Sequence, residues 1–140
     1  MLRLAIPVLH VSDSAAAEAF YCDRLGFRRR FAYRVDESRP DPCYLGLERD
    51  GVTLHVSSFS GDGTSGGVVF LLVDDVDGLH AELVAKGVPI ALEPTDQTWG
   101  NREMYIEDPD GNSIRFVREG GTSNPTDADE LGANPATATN

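Results

Sequence analysis

The sequence predicts an α+β fold made of two paired βαβββ repeats, which form a curved, half-barrel mixed sheet with a concave cleft. Strand-like and helix-like hydrophobic periods alternate in the same order in both halves of the chain. Residues that cap helices or form turns also recur, at offsets of 62, 61 and 60 residues. These pairs are Asp13 and Asp75, Gly26 and Gly87, and Gly51 and Gly111. Since one such repeat cannot bury a sheet face alone, we expect the two to pair, with both helices on the convex side.

The first repeat is predicted over residues 4–58. An apolar strand at residues 2–11 leads into a helix at residues 15–25. Asp13 supplies an N-cap for this helix and Gly26 stands where a C-cap glycine belongs. The remaining strands of this repeat are predicted at residues 27–35, 43–48 and 52–57.

The second repeat is predicted over residues 67–118, with a helix that begins after Asp75 and ends at Gly87. Its strands are predicted at residues 68–73, 88–92, 103–107 and 112–116. The domain therefore spans residues 1–118. Residues 119–140 are polar and acidic with too little apolar area to offset ordering entropy, so we expect a disordered tail there.

Composition excludes several classes of partner. The net charge of −11 argues against nucleic acid, because phosphate contacts require clustered Lys and Arg. An acidic body of this kind favours a cationic small ligand. No apolar run reaches the length of a membrane span, and the N-terminal stretch is too quickly broken by Pro7 for a signal peptide. We therefore expect a cytoplasmic protein without a membrane partner.

Several short motifs occur in an order that is typical of one superfamily. They are Ala19-Phe20-Tyr21 with Leu25-Gly26-Phe27, Arg49-Asp50-Gly51-Val52 before a strand, and Asp108-Pro109-Asp110-Gly111-Asn112 near the end. Together with the duplicated βαβββ unit, they resemble the vicinal-oxygen-chelate superfamily, which contains glyoxalase I, extradiol dioxygenases and bleomycin resistance proteins. The resemblance covers residues 4–118.

Within this superfamily the chain is most similar to the bleomycin resistance proteins, through residues 5–9 and 97–103. The resemblance implies a homodimer that sequesters a flat, cationic ligand in clefts between subunits. It also implies an N-terminal arm exchanged between protomers near Pro7. Trp99 would then be a stacking platform for an aromatic ligand.

The enzymes of this superfamily hold a metal with His, Glu or Gln at four positions on their strands. Here the resemblance places Ile6, His55, Val68 and Arg115 at those positions. A divalent cation needs several converging N or O donors, and only His55 offers one, although His10 on the same strand parity as Ile6 could substitute. We therefore expect neither a metal nor another cofactor.

Eight residues are candidates for ligand binding. Trp99 lies in a Gly-flanked loop, where an exposed indole could stack on a ligand, or could instead pack over the mouth of the cleft. His55 could contact the ligand or act as a general base. Arg115 requires an acid if it is buried, either an anionic ligand or Glu103 or Glu107 across the hairpin. The other candidates are Phe31, Tyr33, Tyr44, Ser57 and Phe59.

The function predicted from these residues is metal-free sequestration of a small or medium-sized aromatic molecule, neutral or cationic, as in bleomycin-type resistance. An alternative is an enzyme of the same superfamily: a metal-dependent lyase or dioxygenase, or a metal-free isomerase with His55 as base. A third possibility is a dimer that serves protein interaction.

Overall fold

The computed structural model describes residues 1–120, so most of the predicted tail, residues 121–140, lies outside the described residues. The helices are α1 (Ser14–Glu18) and α2 (Val76–Ala85). The strands are β1 (Val8–His10), β2 (Arg28–Tyr33), β3 (Tyr44–Arg49), β4 (Val52–Ser57), β5 (Val68–Leu72), β6 (Leu92–Asp96), β7 (Arg102–Glu107) and β8 (Ser113–Arg118). No helix in residues 1–120 has the length and apolar character needed to cross a membrane.

The strands form two four-stranded mixed sheets, one from each repeat. The strand order is β1-β4-β3-β2 in the first sheet and β5-β8-β7-β6 in the second. In each sheet the first strand of the repeat pairs in parallel with the last strand, and the other pairs are antiparallel. The predicted pair of βαβββ repeats is therefore confirmed. The strand pairing of the described residues makes two separate sheets instead of one continuous sheet.

Both helix starts follow the sequence prediction. The Asp13 carboxylate accepts from the backbone N–H of Ala16 at 3.0 Å, and the Asp75 carboxylate accepts from Gly78 at 2.9 Å. Helix α1 continues as a π-helical segment over Ala19–Arg24. After the helical segments Gly26 and Gly87 have φ of +76° and +75°, a conformation that glycine adopts at little cost.

Two predicted strands differ from the observed ones. The N-terminal strand was expected over residues 2–11, but the observed strand covers only Val8–His10, and residues 1–6 are exposed. The strand predicted at residues 88–92 forms instead at Leu92–Asp96. Val88 is buried because it packs into the core as a single residue after the helix, and this apolar contact imitates a strand in the sequence.

One hydrophobic core joins the two repeats, since residues of both sheets and both helical segments belong to a single buried cluster. Polar contacts reinforce the junction. The buried Tyr21 hydroxyl donates to Asp108 of the second repeat at 2.8 Å, and burial raises the pKa of this phenol. Arg49 donates to both carboxylate oxygens of Glu82 at 2.9 and 3.0 Å. The helices and core therefore occupy one side of each sheet, and the other side is left for a site.

Candidate functional site: two strand faces

Strand β4 separates the core from the candidate site. Leu54 and Val56 are fully buried in the core. Because side chains alternate along a strand, Thr53, His55 and Ser57 point to the opposite side. His55 therefore lies on the face that the sequence pattern indicated.

An aromatic surface covers this side of the first sheet. Phe31 stacks on Tyr44 and Tyr33 stacks on Phe59, each with ring centroids 6.1 Å apart. The His55 ring contacts Phe31 and Tyr44 edge-on, with centroid distances of 5.5 and 5.2 Å. We call these five residues the first face. Phe31 and Tyr33 remain 45% and 57% exposed, so the first face presents aromatic rings at the surface of the chain.

Gly46 makes the packing of the first face possible. It pairs with both His55 and Phe31 in neighbouring strands. The Phe31 ring lies so close above it that a Cβ at this position would overlap the ring. The glycine therefore lets Phe31 lie across the strand beside His55 and Tyr44.

A hydrogen bond to Tyr44 orients the His55 ring. The Tyr44 hydroxyl and His55 Nδ1 are 2.8 Å apart. Burial lowers the pKa of His55, whereas burial and the nearby Asp62 raise the pKa of Tyr44. The phenol therefore stays protonated and the imidazole neutral, and one hydrogen bond joins the two side chains.

Ser57 lies on the same parity as His55 but is fully buried. Its hydroxyl donates to Asp62 at 2.7 Å and accepts from the backbone N–H of Phe59 at 3.1 Å. These bonds hold the loop after β4, which carries the Phe59 ring. Ser57 therefore shapes the first face from below.

Trp99 lies beside the second sheet, and its side chain is not the exposed indole that the sequence suggested. Only 9% of the residue is exposed, and its Nε1–H donates to Glu103 at 3.0 Å. The indole is buried within the chain instead of standing free in its loop. The first-face rings Phe31, Tyr33, Tyr44 and Phe59 stack on one another.

Glu103 is the polar centre of the second sheet. It is fully buried and accepts hydrogen bonds from Trp99, from the Asn101 side chain at 3.2 Å, and from the Tyr105 hydroxyl. Burial, with the Glu103 bond next in importance, raises the pKa of Tyr105 to about 12. A buried carboxylate needs hydrogen-bond donors for its oxygens. Glu103 obtains them from Trp99 and Tyr105, and it thereby fixes both aromatic side chains.

Arg115 lies in the middle of the second sheet, paired with Phe70 on one side and Tyr105 on the other. Its guanidinium carbon lies 4.6 Å from the centre of the Tyr105 ring, a cation–π contact. The expected ion pair with Glu103 or Glu107 is wrong: within residues 1–120, Arg115 forms no ion pair. Glu103 instead accepts hydrogen bonds from three neutral donors, those of Trp99, Asn101 and Tyr105. We call Phe70, Trp99, Glu103, Tyr105 and Arg115 the second face.

Strand pairing places an apolar side chain beside each of the predicted last-strand positions, His55 and Arg115. Val8 rather than Ile6 pairs with His55, and Phe70 rather than Val68 pairs with Arg115. Neither apolar side chain can coordinate a metal. Among residues 1–120, no three His, Cys, Asp or Glu side chains converge as a metal site.

A groove of about 420 Å³ lies away from both faces, between the two repeats. Its lining includes Leu25, Phe27, Leu71 and Phe116, together with Arg49 in its ion pair with Glu82. The sequence suggested a cavity at His55 and Trp99. In the single chain those residues instead belong to two separate surfaces, one on each sheet.

Sequence reasoning missed the role of Glu103 and the part played by Asn101 and Phe70. A signal for the first two was present. Trp99, Asn101, Glu103 and Tyr105 are spaced by two residues, so they share one side of an extended segment. This alternation predicts a cluster on the side opposite the buried Met104 and Ile106.

The fold and the two faces define a class of protein: a chain of two βαβββ repeats, each of which presents one side of a mixed sheet for binding. The sequence matches the family model described as glyoxalase superfamily protein over residues 1–122. The chain therefore belongs to the glyoxalase superfamily.

Solved structures share this architecture. A glyoxalase/bleomycin resistance protein from Streptomyces sp. CB03234 is 26% identical with a TM-score of 0.66, covering 81% of this chain and 97% of that one. The bleomycin resistance determinant encoded on the transposon Tn5 is 25% identical with a TM-score of 0.68, covering 84% and 98%. A member of the glyoxalase/bleomycin resistance protein/dioxygenase superfamily from Sphaerobacter thermophilus has the same identity and TM-score, covering 85% and 98%. A comparison with curated proteins found no match.

Proposed function

We propose that this protein binds a small or medium-sized aromatic molecule without covalent chemistry and sequesters it. The observation that carries the proposal is the first face, where Phe31, Tyr33, Tyr44, His55 and Phe59 form a half-exposed aromatic surface. Planar rings stack favourably on such a surface, by about 0.5–1.5 kcal/mol per pair beyond the area they bury. The similarity to a bleomycin resistance determinant supports the same role.

The proposal assigns different roles to the predicted site residues. The rings of the first face and Arg115 contact the ligand. Trp99 and Ser57 act indirectly, because both are buried and bonded within the chain. No metal or other cofactor takes part in this proposal.

The proposal includes a cytoplasmic homodimer in which the first face of one subunit lies opposite the second face of its partner. Apolar side chains beside Phe70 support this arrangement, since Val68 and Leu72 are 55% and 56% exposed. The N-terminal segment, with Leu2 and Leu4 at 100% and 76% exposure, would be the arm exchanged near Pro7. Sedimentation equilibrium should give twice the mass of the chain, and a monomer at high micromolar concentration would remove the dimer from the proposal.

Calorimetric titration tests the binding function. Bleomycin and a set of planar aromatic compounds should include at least one ligand with a micromolar dissociation constant. Tyr33→Ala should weaken that binding by about fivefold, since a stacked ring contributes about 1 kcal/mol. Val84→Ala is the matched control, because Val84 is similarly exposed, at 52%, but lies on helix α2. Equal effects of the two variants, or no binding at all, would contradict a binding role for the first face.

An isomerase that uses His55 as a base is the second candidate. It is favoured by the neutral imidazole and by the Tyr44 hydroxyl, which orients the ring. NMR spectra of each ligand found by calorimetry, recorded with the protein in deuterated water, distinguish the two functions. Proton exchange or conversion that disappears in His55→Gln would favour the enzyme. An unchanged ligand would favour sequestration.

A further inference from the structure

Arg115 occupies the centre of the second face without an acidic partner. It projects from β8 between Phe70 and Tyr105, the residues that pair with it on the neighbouring strands. Its Nε–H is buried and has no hydrogen-bond acceptor within residues 1–120. Glu103, on the neighbouring strand, accepts from Trp99, Asn101 and Tyr105. A buried donor of this kind is stabilised when a ligand supplies the missing acceptor.

We propose that Arg115 receives an anionic group of the aromatic ligand, a planar carboxylate or a sulfonate. This inference rests on the proposed function, because the anion must be attached to the ring system that the faces bind. Phe70 is 43% exposed beside Arg115, so an aryl group can pack against it while its anionic substituent meets the guanidinium. A guanidinium pairs with such groups through two parallel hydrogen bonds.

The overall charge of the protein makes the proposal specific. A body with a net charge of −11 repels anions at long range. Selective binding of an aromatic anion therefore requires a local cation, and Arg115 is placed to provide it. The proposal also replaces the cationic ligand that the composition favoured.

Two fluorescent probes that differ by one anionic group provide the test. 8-Anilinonaphthalene-1-sulfonate carries the sulfonate, and N-phenyl-1-naphthylamine has the same rings without it. In titrations of the full-length chain, Arg115→Gln should weaken the affinity for the sulfonate probe by about tenfold. The affinity for the neutral probe should change by less than about twofold. Arg118→Gln is the matched control, because it removes the same charge from the exposed end of the same strand.

A second measurement uses the unchanged protein, in case Arg115→Gln does not fold. If Arg115 pairs with the sulfonate, raising the salt concentration should weaken that probe relative to the neutral one. If only the net charge acts on the probe, salt should instead strengthen its binding by screening the repulsion.

The outcomes separate this proposal from the proposed function. If both probes bind but Arg115→Gln affects them equally, or no more than Arg118→Gln does, the anion site is overturned and aromatic binding stands. If salt strengthens binding of the sulfonate probe relative to the neutral probe, the proposed anion site is also contradicted. If neither probe binds, aromatic binding itself fails and the anion site fails with it.

Discussion

The two faces are built on equivalent strands but differ in how their polar groups are used. His55 on β4 and Arg115 on β8 occupy corresponding places in the two sheets. Around His55 the neighbours are aromatic rings packed over Gly46, whereas around Arg115 they are Tyr105 and the buried Glu103 cluster. One backbone therefore supports a neutral aromatic surface in one repeat and a charged, aromatic-flanked centre in the other.

The difference shows how the repeated fold supports two kinds of contact. Gly46 and Tyr105 occupy equivalent positions in the two sheets, since Gly46 pairs with His55 and Tyr105 pairs with Arg115. A glycine there leaves room for a ring from the next strand, whereas a tyrosine fills the space and bonds Glu103. The residue at this position thus decides whether that side of the sheet carries an exposed aromatic surface or a fixed polar cluster.

The largest expected effect comes from removing the centre of the second face. Glu103→Ala leaves two buried donors, those of Trp99 and Asn101, and the partly buried Tyr105 hydroxyl without their acceptor, so the free energy of unfolding should fall by about 3 kcal/mol. Urea denaturation followed by circular dichroism measures it. Glu107→Ala is the control, because this exposed carboxylate on the same strand should change stability by less than about 0.5 kcal/mol. Equal losses in the two variants would show that Glu103 does not organise the second face.

The next effect distinguishes an anchoring Trp99 from a stacking one. Trp99→Phe keeps a ring but removes the N–H that bonds Glu103, and it should lower the free energy of unfolding by about 1.5 kcal/mol. In the unchanged protein, iodide should barely quench the fluorescence of this single tryptophan, since the residue is 9% exposed. Strong quenching would restore the exposed indole expected from the sequence.

The sequence predicted the fold well wherever local signals agree with long-range packing. Asp13 and Asp75 cap helices because an N-cap depends only on neighbouring residues. Strand β4 was predicted with its observed bounds, because Leu54 and Val56 alternate with polar residues that face away from the core.

Side-chain partners were harder to predict. Opposite charge suggested Glu103 as the acid for Arg115, but the nearby donors of Trp99, Asn101 and Tyr105 occupy it. Composition and strand parity predict which face a residue lies on. They do not predict which donors form hydrogen bonds with a buried carboxylate. The burial of Trp99 follows from its hydrogen bond to Glu103, and a single sequence does not show which of these hydrogen bonds form.

A smaller effect tests the first face. Gly46→Ala should push the Phe31 ring out of its position, at a cost of about 1 kcal/mol in the free energy of unfolding, because the ring is half exposed and can turn outward. The loss in the free energy of ligand binding should exceed the loss in the free energy of unfolding. Calorimetry with a first-face ligand measures the loss in binding. Gly63→Ala, in a loop where a Cβ meets nothing within 4 Å, controls for loss of a glycine, although its φ of +81° adds strain. Unchanged binding in Gly46→Ala would mean that Phe31 does not contact the ligand.

The smallest effect concerns the charge of the first face. Burial lowers the pKa of His55 in the folded chain, so between its lowered value and about 6.5 the unfolded chain binds more protons than the folded one. Stability should therefore decline as pH falls through that window, and His55→Gln should reduce the decline. The imidazole titration, followed by NMR, should have its midpoint below about 6.5. A midpoint above that value would mean that an anion holds His55 protonated, and the contrast between a neutral first face and a charged second face would then fail.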